Sequence, residues 1–174
     1  MPGVAGSLAV SAPASIQPVS GVLAPENAAR IPATKIVLTA GASDVTVNSI
    51  TVERTGVSSD ASFAGVDLVD ENGNLVGLEK TLNSDHKAIL TPALVIKAGT
   101  SRTLTVAATR VSTAVGAGTH SGENAAFQVS AIDAGTATLT GDAFPLKGAS
   151  MTVNGTLTIG SVTMADGSSN PSAQ

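Results

Sequence analysis

The residues best suited to chemistry in this sequence are two histidines, His86 and His120, and one run of oxygen-bearing side chains. That run is Asp60, Asp67, Asp70, Glu71, Asn72 and Asn74. Ca2+ takes about 6–8 oxygen ligands in irregular geometry, so Asp67, Asp70, Asn72 and Asn74 form a candidate calcium set. The run lacks the spaced Asp-x-Asp-x-Asp-Gly loop, however, and Asn72-Gly73 already reads as a hairpin turn. His86 follows Asp85, and His120 lies in a Gly/Ser stretch. Neither has a second ligand at metal spacing, so both read as solvated loop residues.

Other chemistries lack their residues. With no cysteine, there is no thiolate nucleophile, sulfur metal site or disulfide. No Gly-x-Ser-x-Gly elbow occurs, and Gly116-Ala117-Gly118 is followed by no phosphate-loop lysine. A paired-carboxylate glycosidase ordinarily needs aromatic sugar platforms, whereas this chain has three Phe and no Tyr or Trp. The expectation is therefore not an enzyme, and no cofactor.

The elements that would carry any site are strands. Of 174 residues, 43% are hydrophobic but only 2% aromatic, so a core must come from Ala, Val, Ile, Leu and Thr methyls. Branched side chains are stiff at χ1 and suit a pleated surface. Residues 36–40, 45–52, 66–76, 88–96, 103–108, 127–131, 138–140 and 151–164 alternate or run apolar, and Gly, Pro or Asn separates them. Asn48-Ser49 changes the phase of its strand, predicting a bulge or bend. Asp70–Asn74 is the best hairpin signal, Asn154-Gly155 is a second turn signal, and Pro92 marks a break. Residues 112–124 read as a long exposed loop. No window has helical periodicity. Strands spaced roughly 8–12 residues apart predict an all-β, antiparallel two-sheet β-sandwich, Ig-like or jelly-roll.

Charge organises the chain. Only 13% of residues are charged and the net charge is −4, which excludes the basic face that nucleic acid requires. No apolar run approaches the about 20 residues of a membrane span. The only charged residue before Arg30 is Glu26, and the only one after Lys147 is Asp166. The sequence thus divides into a low-charge segment, residues 1–29, a sandwich domain, 30–165, and a polar tail, 166–174. Gly6-Ser7-Leu8-Ala9-Val10 is echoed 154 residues later by Gly160-Ser161-Val162-Thr163-Met164. Strands without gatekeeper charges are adhesive edges. Residues 1–29 are accordingly a candidate donor strand, with Leu8 and Val10, or Val162 and Met164, as the side chains inserted into a neighbour. The opening Met1-Pro2-Gly3 lacks the basic and apolar regions of a secretory signal.

Three stretches resemble the β-sandwich modules repeated in bacterial surface-layer and cell-surface proteins: residues 44–56 (DVTVNSITVERTG), 63–70 (FAGVDLVD) with 81–84, and 94–106 (LVIKAGTSRTLTV). The likeness spans residues 30–145. A second, weaker likeness is to jelly-roll extracellular fibre subunits, which polymerise by lending a strand to the next copy. These resemblances imply an extracellular or cell-surface location, a scaffold role and no catalytic residues. The expected function is a structural subunit of a filament, tube or surface layer whose partner is itself. One alternative is a surface-displayed adhesin or glycan-binding module using the loops at 57–64 and 112–124. Another is a phage or virus coat or decoration protein.

Overall fold

The computed structural model describes residues 6–112 and 120–158. Twelve strands form it: β1 (Ser7–Ser11), β2 (Val22–Glu26), β3 (Ile31–Ala40), β4 (Val45–Val47), β5 (Ser49–Thr55), β6 (Phe63–Val69), β7 (Lys87–Leu90), β8 (Leu94–Ile96), β9 (Ser101–Arg110), β10 (Asn124–Asp133), β11 (Thr138–Gly141) and β12 (Ser150–Thr158). The helical elements among the described residues are two three-residue 3-10 turns, Ala14–Ile16 and Asp60–Ser62.

Two five-stranded sheets pack face to face. The first has the order β11-β1-β3-β9-β6 and the second β2-β12-β10-β5-β7; a small β4-β8 ladder stands beside them. The core follows from alternation along each strand. Leu8, Val10, Ile36, Leu38, Leu104, Val106, Val66 and Leu68 point inward from the first sheet. Val52, Ile50, Leu90, Phe127, Val129, Met151 and Val153 meet them from the second, all buried. Phe63 and Phe127 touch edge to face with centroids 5.0 Å apart, a favoured aromatic geometry. Thr34 on β3 donates its hydroxyl proton to the Phe127 carbonyl on β10, joining the sheets through the core.

The all-β sandwich matches the sequence expectation, but its strands are not all antiparallel. β1 runs parallel to β11, and β2 runs parallel to β12. Each early strand slots beside a late one with the same direction, which no local pattern encodes. β1 and β2 also lie within the two sheets, so the segment read as separate, residues 1–29, supplies one strand to each.

Several local signals are realised. Asn48 interrupts the chain between β4 and β5. Asp70 and Asn74 close a tight turn through Asp70 N–H to the Asn74 carbonyl at 2.9 Å. Pro92 lies between β7 and β8. At Asn154-Gly155 the expected turn is instead a bulge inside β12. The Asn154 carboxamide oxygen accepts from the amides of Thr156 (2.9 Å) and Leu157 (2.7 Å), which absorbs the extra residues without reversing the strand.

Candidate functional site

The strand positions nominated for assembly begin with β1. Its alternation, small-Leu-Ala-Val-Ser, sends Leu8 and Val10 into the core, 0% and 1% exposed. Ala9 faces outward. The strand pairs on both sides: antiparallel to β3, with Ala9 opposite Thr39, and parallel to β11, with Ala9 opposite Thr140. Leu8 and Val10 therefore fill a slot in their own chain. Val162 and Met164, the other nominated pair, lie outside the described residues.

β1 is also the strand that holds β11 in its sheet. Asp142 N–H donates to the Val10 carbonyl at 2.8 Å, and Thr138 N–H donates to the Gly6 carbonyl at 2.8 Å. All four residues of β11 are exposed and none is charged. The far side of β11 pairs with no strand among the described residues. The other sheet margins differ. β2 carries Pro25, which removes one ladder donor at an edge. β7 presents Ile89 to solvent. Beyond β6 a strap, residues 75–80, covers the margin: Val66 and Lys80 exchange backbone bonds of 2.8 and 3.0 Å, and Val76 N–H donates to the Leu68 carbonyl at 2.9 Å.

The connection leaving β1 is short and pinned. Ala12 N–H donates to the Asp142 carboxylate at 2.9 Å. Gln17 then docks on β3, its amide donating to the Lys35 carbonyl at 2.7 Å while its oxygen accepts from Lys35 N–H at 2.9 Å.

Charged groups gather around the loop between β5 and β6. Arg54, with a 5% exposed side chain, donates through Nε to Asp60 Oδ1 and through Nη1 to Ser58 Oγ at 3.0 Å. His86 Nδ1 lies 2.5 Å from Asp60 Oδ2 and 3.1 Å from Arg54 Nη2. Burial pushes the Asp60 carboxyl up, but the hydrogen bonds and charges of Arg54 and His86 outweigh it and hold it below the usual value. From the other side Glu123 accepts from Ser59 N–H at 2.9 Å and sits 3.0 Å from His120 Nδ1. The hydrogen bond from His120 is the largest influence lowering Glu123. Both histidines thus brace one loop, each against a carboxylate. Their partners are 26 and 3 residues away in sequence, so only the shorter spacing was open to detection. His86 also adopts a positive φ of 60°.

The calcium candidates separate on inspection. The Asp70 carboxylate accepts from the amides of Asn72 (2.9 Å) and Asn74 (2.8 Å) and from the Asn74 side chain (3.3 Å), and lies 3.6 Å from Arg102. Its oxygens are thus occupied in stabilising the turn. Asp67 instead projects from the outer face of β6, with a 4% exposed side chain. Among the described residues, no group of three or more His, Cys, Asp or Glu is arranged to hold a metal ion, and no helix is long and apolar enough to cross a membrane.

The outer face of the second sheet carries an open cleft of about 490 Å³, lined by Ser20, Thr55, Gln128, Pro145, Lys147 and Ser150 among others. The deepest buried cation, Arg110, points instead into the core, donating to the carbonyls of Ala24 (3.2 Å) and Ser62 beside the Phe63 ring. Comparison of the chain with protein-family models and with curated proteins finds no match in either set.

Proposed function

We propose that this protein is a structural subunit of an extracellular assembly, a filament, tube or surface layer, whose copies associate by β-strand addition. The observation that carries the reading is the slot between β3 and β11. It is filled by a strand with two wholly buried side chains, joined to the rest by the few residues between Ser11 and the Gln17 anchor. A strand held this way can leave its own slot and fill that of a neighbour with the same contacts re-formed, so exchange between copies changes little but the path of the connection. Such a contact is heterologous and grows open polymers. β11, which depends on β1 for its place and is uncharged along its length, extends the acceptor site.

The experiment uses the absence of native cysteine. Ala9 and Thr39 are directly opposite across the β1–β3 pair, so the double variant Ala9→Cys, Thr39→Cys forms a disulfide wherever the two strands meet. Under mild oxidation, strand exchange yields a ladder of covalent oligomers on a non-reducing gel. Only internally linked single chains at assembling concentrations would sink the proposal.

One observation favours a second reading, a surface adhesin or glycan-binding module using the loops at 57–64 and 112–124. Residues 113–119 of the second loop lie outside the described residues; its end at 120–124 meets the first loop, where Asn124 N–H donates to the Val57 carbonyl at 3.1 Å and Val57 itself is 84% exposed. A glycan array without signal above background discards it.

A further inference from the structure

On the outer face of β6, Asp67 and Glu79 are driven together by the fold. Glu79 belongs to the strap, residues 75–80, and lies flat across β6 because residue 65 is glycine: a Cβ there would stand 2.5 Å from Glu79 Cγ. Asp67, two residues further along the same face, has its carboxylate almost wholly withdrawn from water. Its nearest cation is Arg30, with Nε 4.0 Å away and a side chain that is itself half exposed. From β9, the positions opposite are Thr105, Ala107 and Thr109, none charged; beyond them on β3, Lys35 lines the same groove as Arg30, Val69 and Ala107. The remaining charged group on the strap is Lys80, whose backbone pairs with Val66.

Charge balance identifies what this arrangement holds. With both carboxylates ionised, the buried Asp67 carboxylate faces the charge of the exposed Glu79, with the half-exposed Arg30 guanidinium 4.0 Å away, and the two like charges repel. A divalent cation would overshoot to +1 and would find only two carboxylates where Ca2+ needs about 6–8 oxygens. A proton on the Asp67 carboxyl removes that repulsion and turns it into a hydrogen bond to Glu79. We propose that Asp67 and Glu79 form a proton-held latch that fastens the strap at 75–80 over the β6 margin in acid and releases it as the buried Asp67 ionises.

Burial, and after it the charge of Glu79, push the Asp67 carboxyl above the usual value, with Arg30 opposing. A raised acid contributes its stability fully below its unfolded value and loses it as pH rises through the folded one. Release frees the Val66 amide and the Val66 and Leu68 carbonyls, which are the groups a further strand needs. This consequence for assembly rests on the strand-addition reading; the latch itself does not.

The test is amide hydrogen exchange on the full chain, at concentrations too low for association, from pH 4 to 8 with the intrinsic exchange rate divided out. Protection at Val66, Val76 and Lys80 should fall with rising pH, about tenfold for each unit by which the fastened pKa of Asp67 exceeds the released one. Glu79→Gln, a change at an exposed position, should flatten the profile and keep the strap protected at pH 8. Arg30→Gln should deepen the fall and extend it to higher pH. A flat wild-type profile, or a Glu79→Gln profile that tracks the wild type, overturns the latch. Neither result bears on the disulfide ladder at β1, so the two proposals fail separately.

Discussion

Gln17 and Lys35 are joined as two neighbouring strands would be: the side-chain amide of Gln17 gives one hydrogen bond to the Lys35 backbone and takes one from it. β1 has ended at Ser11 by then, so Lys35, which faces Thr105 of β9 on one side, would otherwise lack a partner on the β1 side. The glutamine stands in for the missing strand and fixes how much of the chain can swing out with β1. Gln17→Ala removes both bonds, each worth about 1 kcal/mol net. The expected result is a midpoint loss of about 1–2 kcal/mol in denaturant and a faster build-up of intermolecular Ala9→Cys, Thr39→Cys disulfides. Unchanged ladder kinetics would show that the hinge lies elsewhere.

Gly141 is where β11 leaves β1, and it has no room for a side chain. Its φ is +100°, and a Cβ would fall 2.2 Å from the Val10 carbonyl oxygen. Gly141→Ala must therefore adopt a backbone that L residues avoid and push β11 off β1. The substitution should cost about 1–3 kcal/mol. It should also raise amide exchange selectively at Asp142, whose N–H donates to that same carbonyl, while β5 and β10 stay protected.

The strand pattern was legible because burial imposes a period of two. Leu104 and Val106 are buried while Thr103 and Thr105, which alternate with them, are not, which is the pattern the sequence displays. The Asp70 turn was legible for the same local reason, since an Asx residue bonding the amides two and four positions ahead announces itself. What sequence could not supply was pairing at a distance. Nothing local tells Leu8 that Leu139, 131 residues on, is its parallel neighbour, so from sequence alone the low charge of residues 1–29 marks a separate segment. Asn154-Gly155 misleads for a related reason: its turn propensity is satisfied by a bulge because β2 pairs with β12 before it, up to Asn154, and again after it, at Thr158. The Asp60–His86 and Asp67–Glu79 pairs arise only when loops from different strands meet. The sequence displays these acids only as oxygen donors, because spacing carries no sign of their partners Arg54, His86 and Glu79.

Leu8 tests whether β1 is an integral part of the core. Its side chain is fully buried between the sheets, so Leu8→Ala removes buried methyl groups and leaves a cavity, at a cost of about 2–5 kcal/mol. Chemical denaturation of the unassembled chain should show that loss in the midpoint with an unchanged slope. A loss under 0.5 kcal/mol, on the order of a surface substitution, would mean that the slot is empty in solution.

Acid should weaken the end of the sandwich braced by Asp60. The Asp60 pKa is lower in the folded chain than in the unfolded one, because Arg54 and His86 favour the ionised form by more than burial opposes it. A depressed acid contributes stability above its unfolded value, about 3.9, and loses it as pH falls through the folded one. Glu123, lowered chiefly by the hydrogen bond from His120, acts in the same direction. The loop at 56–62 is therefore held firmly at neutral pH and loosened below about pH 4, opposite in sign to the latch at Asp67. Asp60→Asn keeps the shape and removes the charge, so Arg54 stays buried with a weaker partner. The variant should lose up to about 3 kcal/mol at pH 7, the lower end for a broken buried pair because Asp60 is partly open to water. Its melting temperature should then fall less between pH 7 and pH 3 than that of the wild type. Parallel wild-type and variant curves over that interval would assign the acid sensitivity to other carboxylates.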